Sequence, residues 1–186
     1  MMRRRALLGA LAITAVSCGS PLSQQGSRPS IALPQPAITR PGPQLATTLP
    51  PSIAGVDRND PTAVAQAALQ VWFTWFPVYD AGPIDAVART APLLTAEFAT
   101  AAAGQRPARD PGVAWEQWAQ QRIEIAAIIT LGVEPTPPDT EDRRHRSFVV
   151  TQSGNTTPPT IVSTGYVDVV LSRELDGWRV ATVRPR

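Results

Sequence analysis

The stretch Arg122-Ile123-Glu124-Ile125-Ala126-Ala127-Ile128-Ile129-Thr130-Leu131-Gly132-Val133 decides the fold class, because the apolar period changes there from helical to two. Ile123, Ile125, Ala127, Ile129, Leu131 and Val133 fall on one side of an extended chain, and Arg122, Glu124 and Thr130 on the other. Pro135-Thr136-Pro137-Pro138-Asp139 ends this strand. A second strand is predicted around Arg146 to Gln152, with Phe148, Val149 and Val150, and a third from Thr160 to Arg173, with Ile161, Tyr166, Val167, Val169, Val170 and Leu171. Leu175-Asp176-Gly177-Trp178 reads as a hairpin, since Asp-Gly tolerates the positive φ of a tight turn, and Trp178, Val180 and Val183 mark the last strand.

Upstream of this meander the pattern is helical. Asp60 can cap and Pro61 suits a first helical turn, and Val64, Ala68, Trp72, Trp75, Phe76 and Tyr79 follow at spacings of three and four. A cofactor-stacking role for Trp72 and Trp75 fits the same residues, but a stripe at helical spacing is far more often core. Pro77 perturbs or closes the last turn of this helix. Gly82-Pro83 opens a second, short helix with Ile84, Val87 and Ala88. Ala91-Pro92 opens a third through Leu93, Leu94, Phe98 and Ala102, closed by Gly104, and a fourth carries Trp115 and Trp118. Helices first and strands afterwards give an α+β class, with the N-terminal helices packed on one face of a curved four-stranded antiparallel sheet. No internal repeat is discernible.

Residues before this domain carry an address and a spacer. In 1–17, Arg3, Arg4 and Arg5 form a positive start, and Ala6 to Val16 form an apolar segment too short to span a bilayer as a helix. Ala15-Val16-Ser17-Cys18 resembles the lipobox of bacterial lipoproteins, which implies a signal peptide over 1–17 and lipid attachment, of the palmitate type, at Cys18. Ordinary cleavage leaving a free thiol is the alternative, and the arginine run leaves the export pathway open. From 18 to 57 eight prolines accompany Ser, Gln and Gly without one aromatic residue, so the stretch is expected to be a disordered, semi-extended tether. It suits a plain spacer or a ligand for an aromatic groove. The domain is then expected over 58–186, a size that buries one core.

Composition narrows the chemistry. The 186 residues include one Cys and one His, which removes an internal disulfide and the usual Cys- or His-based metal sites, so no cofactor and no metal are expected. All 17 basic residues are Arg, which fits a coding bias as well as any adaptation. Cleavage before Cys18 removes three Arg and no acid, so the net charge of +2 becomes −1 and gives no electrostatic case for nucleic acid. No Ser-His-Asp spacing, Gly-rich phosphate loop or metal motif is discernible. Asn155-Thr156-Thr157 matches a glycosylation sequon of little weight in a bacterial lipoprotein.

Asp60 to Tyr79, Pro83 to Ala103 with Arg89-Thr90-Ala91-Pro92-Leu93-Leu94-Thr95, and Leu175-Asp176-Gly177-Trp178-Arg179-Val180 together resemble the nuclear transport factor two-like fold, also called the cystatin-like cone. The resemblance implies a long first helix, shorter helices and a strongly bent sheet. Among exported actinobacterial-type proteins the chain is similar to accessory domains of conjugative-transfer or type IV secretion channels and to proteins associated with mammalian-cell-entry lipid transporters. This implies a lipid-anchored module on the extracytoplasmic face of the cell membrane, acting by interaction or scaffolding with a protein partner in a membrane complex. The alternative is a small-molecule-binding or catalytic cone of the isomerase or dehydratase type. For that reading the pocket candidates are Tyr79 with Asp80, at the end of the first helix, and Tyr166 with Asp168, on one strand face. A polar turn before Gly82 and a solvent-facing acid are the plainer roles, and no residue is assigned as catalytic. His145, within Arg143-Arg144-His145-Arg146 and beside Glu141 and Asp142, reads as a solvated strand entry. The arginines there suit anionic headgroups or local compensation by those acids.

Overall fold

The computed structural model describes residues 43–105 and 112–186. The expected signal peptide, Cys18 and the tether up to residue 42 lie outside the described residues. The described part of the expected tether, 43–57, contributes to the fold: the Ala46 N–H donates to the Ala88 carbonyl at 3.0 Å, and Leu49, Ile53 and Val56 pack against the core. Three scattered apolar side chains in a Pro-rich run carry no period, which is why composition alone assigned them to a spacer.

Four helices, α1 (Pro61–Phe73), α2 (Pro83–Thr90), α3 (Ala96–Gly104) and α4 (Val113–Gln121), precede four strands, β1 (Ile125–Leu131), β2 (Arg143–Gly154), β3 (Thr160–Glu174) and β4 (Gly177–Pro185). The strands form one antiparallel sheet in chain order, β1-β2-β3-β4, so the fold is α+β with an open meander. Register shifts at Gln152/Ser153 and at Val170/Leu171 each insert an irregularity of the kind that bends a strand.

One face of the sheet makes the core. Ile129, Phe148, Val150, Val167, Val169, Leu171 and Val180 are buried against Val64, Ala68 and Leu69 of α1. Phe148 and Val167 are cross-strand partners, as are Leu171 and Val180, so the pleat stacks apolar pairs beneath the helix. Burial of each large side chain contributes roughly 1.5 to 3 kcal/mol. Trp178, 1% exposed, closes one end of this layer, with the Arg144 and Arg173 guanidinium carbons 4.8 and 5.6 Å from its ring centroid.

Local chemistry sets the helix ends. Asp60 accepts from the Thr62 and Ala63 amides at 2.8 and 3.2 Å with Pro61 at the first position, as the sequence predicts. The helix stops at Phe73 rather than running on to Tyr79. Pro77 excludes the helical bond its amide would make and disfavours helical geometry at Phe76. Trp75 instead exchanges two backbone hydrogen bonds with Ile125 at 2.9 and 3.0 Å, joining the edge of β1. Trp75, Phe76 and Tyr79 are therefore not part of a helical stripe. The expected third helix is also two pieces: a 3-10 turn over Ala91–Leu93, then α3 capped by Thr95. Leu94 lies between them and forms a parallel bridge to Val180.

Gln152 and Gln66 are two of the polar side chains that bind α1 to the sheet. Gln152, 3% exposed, donates to the Phe73 carbonyl at 2.7 Å and accepts from the Ser163 hydroxyl at 2.7 Å. This satisfies a carbonyl at the helix C-terminus, where no helical donor remains. Gln66 donates to the Ile129 carbonyl of β1 at 3.2 Å. In β1 the buried alternation ends at Ile129; Leu131 and Val133, expected on the apolar face, are 53% and 97% exposed, Leu131 being the last residue of the strand and Val133 lying in the loop beyond it.

In the β3–β4 hairpin the positive φ falls on Gly177 (117°) and not on Asp176. A Cβ at Gly177 would also stand 2.5 Å from the Arg58 carbonyl oxygen, which accepts from the Trp178 amide. Gly177→Ala is expected to cost about 2 kcal/mol, read as a lower midpoint in urea unfolding.

Candidate functional site

The pleat separates the expected site residues into two environments. Tyr166 and Asp168 do share a face of β3, and it is the face opposite the core, shared with Ile128 and Thr130 of β1, Val149 of β2 and Thr182 of β4. Ile128 is 63% and Tyr166 47% exposed, so the middle of this outward face presents apolar surface to solvent. No helix covers it among the described residues.

A polar network borders that patch. Asp168 forms an ion pair with Arg186 at 3.0 Å, and the Arg186 guanidinium carbon stands 5.6 Å from the Tyr166 ring centroid. Arg186 also donates to the Ser147 hydroxyl at 3.0 Å, and its amide donates to the Tyr166 carbonyl at 2.9 Å. Ser147 in turn donates to Glu134 at 3.4 Å. Ser147 is the cross-strand partner of Asp168 and is 2% exposed beneath these side chains. Arg184, opposite Asp168 on β4, is exposed. Ser147 and Glu134 were not singled out in the sequence. The signal was present only for Ser147, through its period-two spacing from Val149 on the polar face of β2.

The adjacent Tyr79 and Asp80 have different surroundings, and neither lies on this face. Tyr79 is 84% exposed. Asp80 is an organiser of the loop after α1: it accepts from the Phe76 amide at 2.9 Å and pairs with both terminal nitrogens of Arg89. Arg89 continues to the Thr74 carbonyl at 3.2 Å and lies 5.1 Å from the Phe76 ring centroid. This carboxylate is nearly enclosed, with 6% of its side chain exposed, so the pair ties α2 to the chain leaving α1. Asp80→Ala leaves Arg89 and the Phe76 amide without their acceptor and is expected to cost about 2 kcal/mol in urea unfolding.

The Arg143 to Arg146 run is compensated by Asp139 more than by Glu141 and Asp142. Arg146 donates to both Asp139 oxygens at 3.1 and 3.0 Å and reaches the Thr62 hydroxyl at 3.0 Å, while Arg144 pairs with Asp139 at 3.6 Å. The His145 amide also donates to Asp139, at 3.0 Å. Partial burial raises the Asp139 carboxyl, but that amide and the two guanidinium groups outweigh it and hold the group below its ordinary 3.8. The Thr140 hydroxyl, the residue's own amide and the nearby Arg143 and Arg144 lower Asp142. A carboxyl lowered on folding stabilises the fold fully above its unfolded value and loses that contribution as the pH falls through the folded one. Asp139→Asn is expected to cost about 1 kcal/mol at neutral pH and to reduce the loss of stability that the wild type shows below about pH 4.

Two shallow clefts flank the sheet. One of about 590 Å³ lies between α3 and the β3–β4 side, with Glu97, Phe98, Arg173 and Glu174 on its walls. The other, about 250 Å³, lies between α4 and the end of the β2–β3 hairpin. Groups of three or more His, Cys, Asp and Glu placed to hold a metal do not occur among the described residues, and no helix there is long and apolar enough to cross a membrane.

No protein-family model and no curated protein matches this chain. Among solved structures it is similar to one described as "Structure of a periplasmic fragment of TraM", at 12% identity and a TM-score of 0.46, over 67% of this chain and 93% of that one.

Proposed function

We propose that the protein is a membrane-tethered extracytoplasmic interaction or scaffolding module, an accessory subunit of a secretion, conjugation or lipid-transport complex. In this reading Cys18 carries the lipid, the Pro-rich stretch after it sets the distance from the bilayer, and the outward sheet face meets the protein partner. Two acyl chains supply stable anchoring.

The carrying observation is the division of labour between the sheet faces. A cone that binds or transforms a small molecule keeps an interior pocket with convergent polar groups. Here Val64, Leu69, Phe148, Val167 and Leu171 fill the space between sheet and α1. Tyr166 and Asp168 stand on the other side, on the outward face that also carries exposed Ile128. A partly apolar centre with a charged rim is the anatomy of a protein interface.

A photo-reactive residue placed at position 128 or 166 tests this in the native membrane, with position 100, exposed on α3, as the control. The expected result is one discrete cross-linked partner from 128 and 166, none from 100, and loss of both products in Cys18→Ala, which should also leave the membrane fraction. Equal labelling at all three positions, or membrane retention of an unacylated Cys18→Ala protein, overturns the reading.

A further inference from the structure

The cleft between α4 and the β2–β3 hairpin has a chemistry unlike the rest of the surface. Its walls include Trp118, Gln117 and Gln121 from α4 and Thr156 and Thr160 from the hairpin, and among the described residues none of its lining side chains is charged. Gln117 and Gln121 stand four residues apart and so share one edge of the helix. Both are exposed, and among the described residues their carboxamides have no hydrogen-bond partner. The Trp118 indole N–H likewise has no acceptor among them. The Thr156 hydroxyl donates to the Pro158 carbonyl at 2.8 Å and accepts from the Thr160 hydroxyl at 2.9 Å, so each keeps capacity only as an acceptor.

These walls are held before anything binds. Arg122 takes a left-handed turn (φ 55°, ψ 35°), the Ile123 amide donates to the Trp118 carbonyl at 2.8 Å, and α4 is thereby aimed at the hairpin. Glu124 and Asn155 then exchange two hydrogen bonds of 3.0 Å across the gap. Behind the cleft, the Trp118 ring centroid stands 6.4 Å from both Trp75 and Trp115. Preorganised walls reduce the ordering cost of binding.

The ligand class follows from what the walls offer. Walls that carry no charge among the described residues disfavour an ion, and a wholly apolar ligand would leave the two carboxamides desolvated and unpaired. The two carboxamides, which both donate and accept, and the two threonine oxygens, which accept, match hydroxyls, while the indole suits a flat array of C–H groups. The cleft, at about 250 Å³, is smaller than a pocket for a drug-sized molecule and takes one ring. We propose that it binds a single uncharged pyranose unit of a glycan. This goes beyond the interaction-module reading and uses a different part of the surface, so either can fail without the other.

The test is titration of the full-length, detergent-solubilised protein with chitotriose, cellotriose and maltotriose to about 10 mM, followed by the NMR signals of the indole N–H groups and by tryptophan fluorescence. At least one trisaccharide is expected to shift the Trp118 signal with a Kd of about 1 mM or tighter. Gln117→Ala/Gln121→Ala changes only exposed side chains; it should keep the wild-type Tm and weaken binding at least about tenfold. Trp118→Phe, which keeps an aromatic ring in the cluster but lacks the indole N–H, should also weaken it. Silence of the Trp118 signal with all three sugars overturns the proposal, as does binding that the double glutamine variant leaves unchanged. A response to a proline-rich peptide in place of any sugar overturns it too and assigns the cleft to peptides.

Discussion

Strand register is the constraint on which this structure depends. Because side chains alternate across a strand, a slip of β3 by one residue against β2 would move Val167, Val169 and Leu171 from beneath α1 into solvent. The same slip would carry Tyr166 and Asp168 into the core. Burial of the first set therefore determines the exposure of the second. The outward face is a consequence of core packing, and its polar network is free to vary without disturbing the layer beneath.

The helical layer meets that sheet through few but specific polar ties. Apolar burial presses α1 against the strands, yet burial has no direction and does not choose how far the helix slides along them. Gln152 on the Phe73 carbonyl and Gln66 on the Ile129 carbonyl supply that choice. The Asp80–Arg89 pair does the same for α2, whose first turn is further set by Asp85 accepting from the Ala81 and Gly82 amides at 2.6 and 3.2 Å. Capacity left unsatisfied at any of these points would cost the desolvation of a buried polar group.

Much of this was legible in the sequence where periodicity is strong. The change of period at Arg122 and the alternation in β3 announced the meander, and Asp60-Pro61 marked the start of α1 to the residue. Failures came where a distant partner outbid a local preference. Trp75 has helical spacing to Trp72, but the Ile125 backbone and Pro77 remove it from the helix. Leu131 and Val133 continue the apolar alternation in sequence, but β1 ends at Leu131 and both side chains are exposed. Leu49, Ile53 and Val56 pack without any period and read as spacer. Of the site residues, Tyr166 and Asp168 could be assigned a common face but not which face, since that depends on the side α1 covers. The Ser147–Glu134 contact joins a strand to a loop and has no spacing signature at all.

The two bridges that draw Trp75 to Ile125 and Leu94 to Val180 also bear on what the sheet can become. An open sheet ends in two strands with unpaired backbone groups, and such edges recruit further strands into aggregates. Here β1 gives both Ile125 groups to Trp75 and its Ile129 carbonyl to Gln66, while on β4 the Trp178 amide meets the Arg58 carbonyl and the Val180 carbonyl meets the Thr95 amide. The helical layer thus acts as a pair of bookends. A foreign strand seeking to lengthen the sheet would have to displace them, so many copies can crowd together with little tendency to grow into fibres.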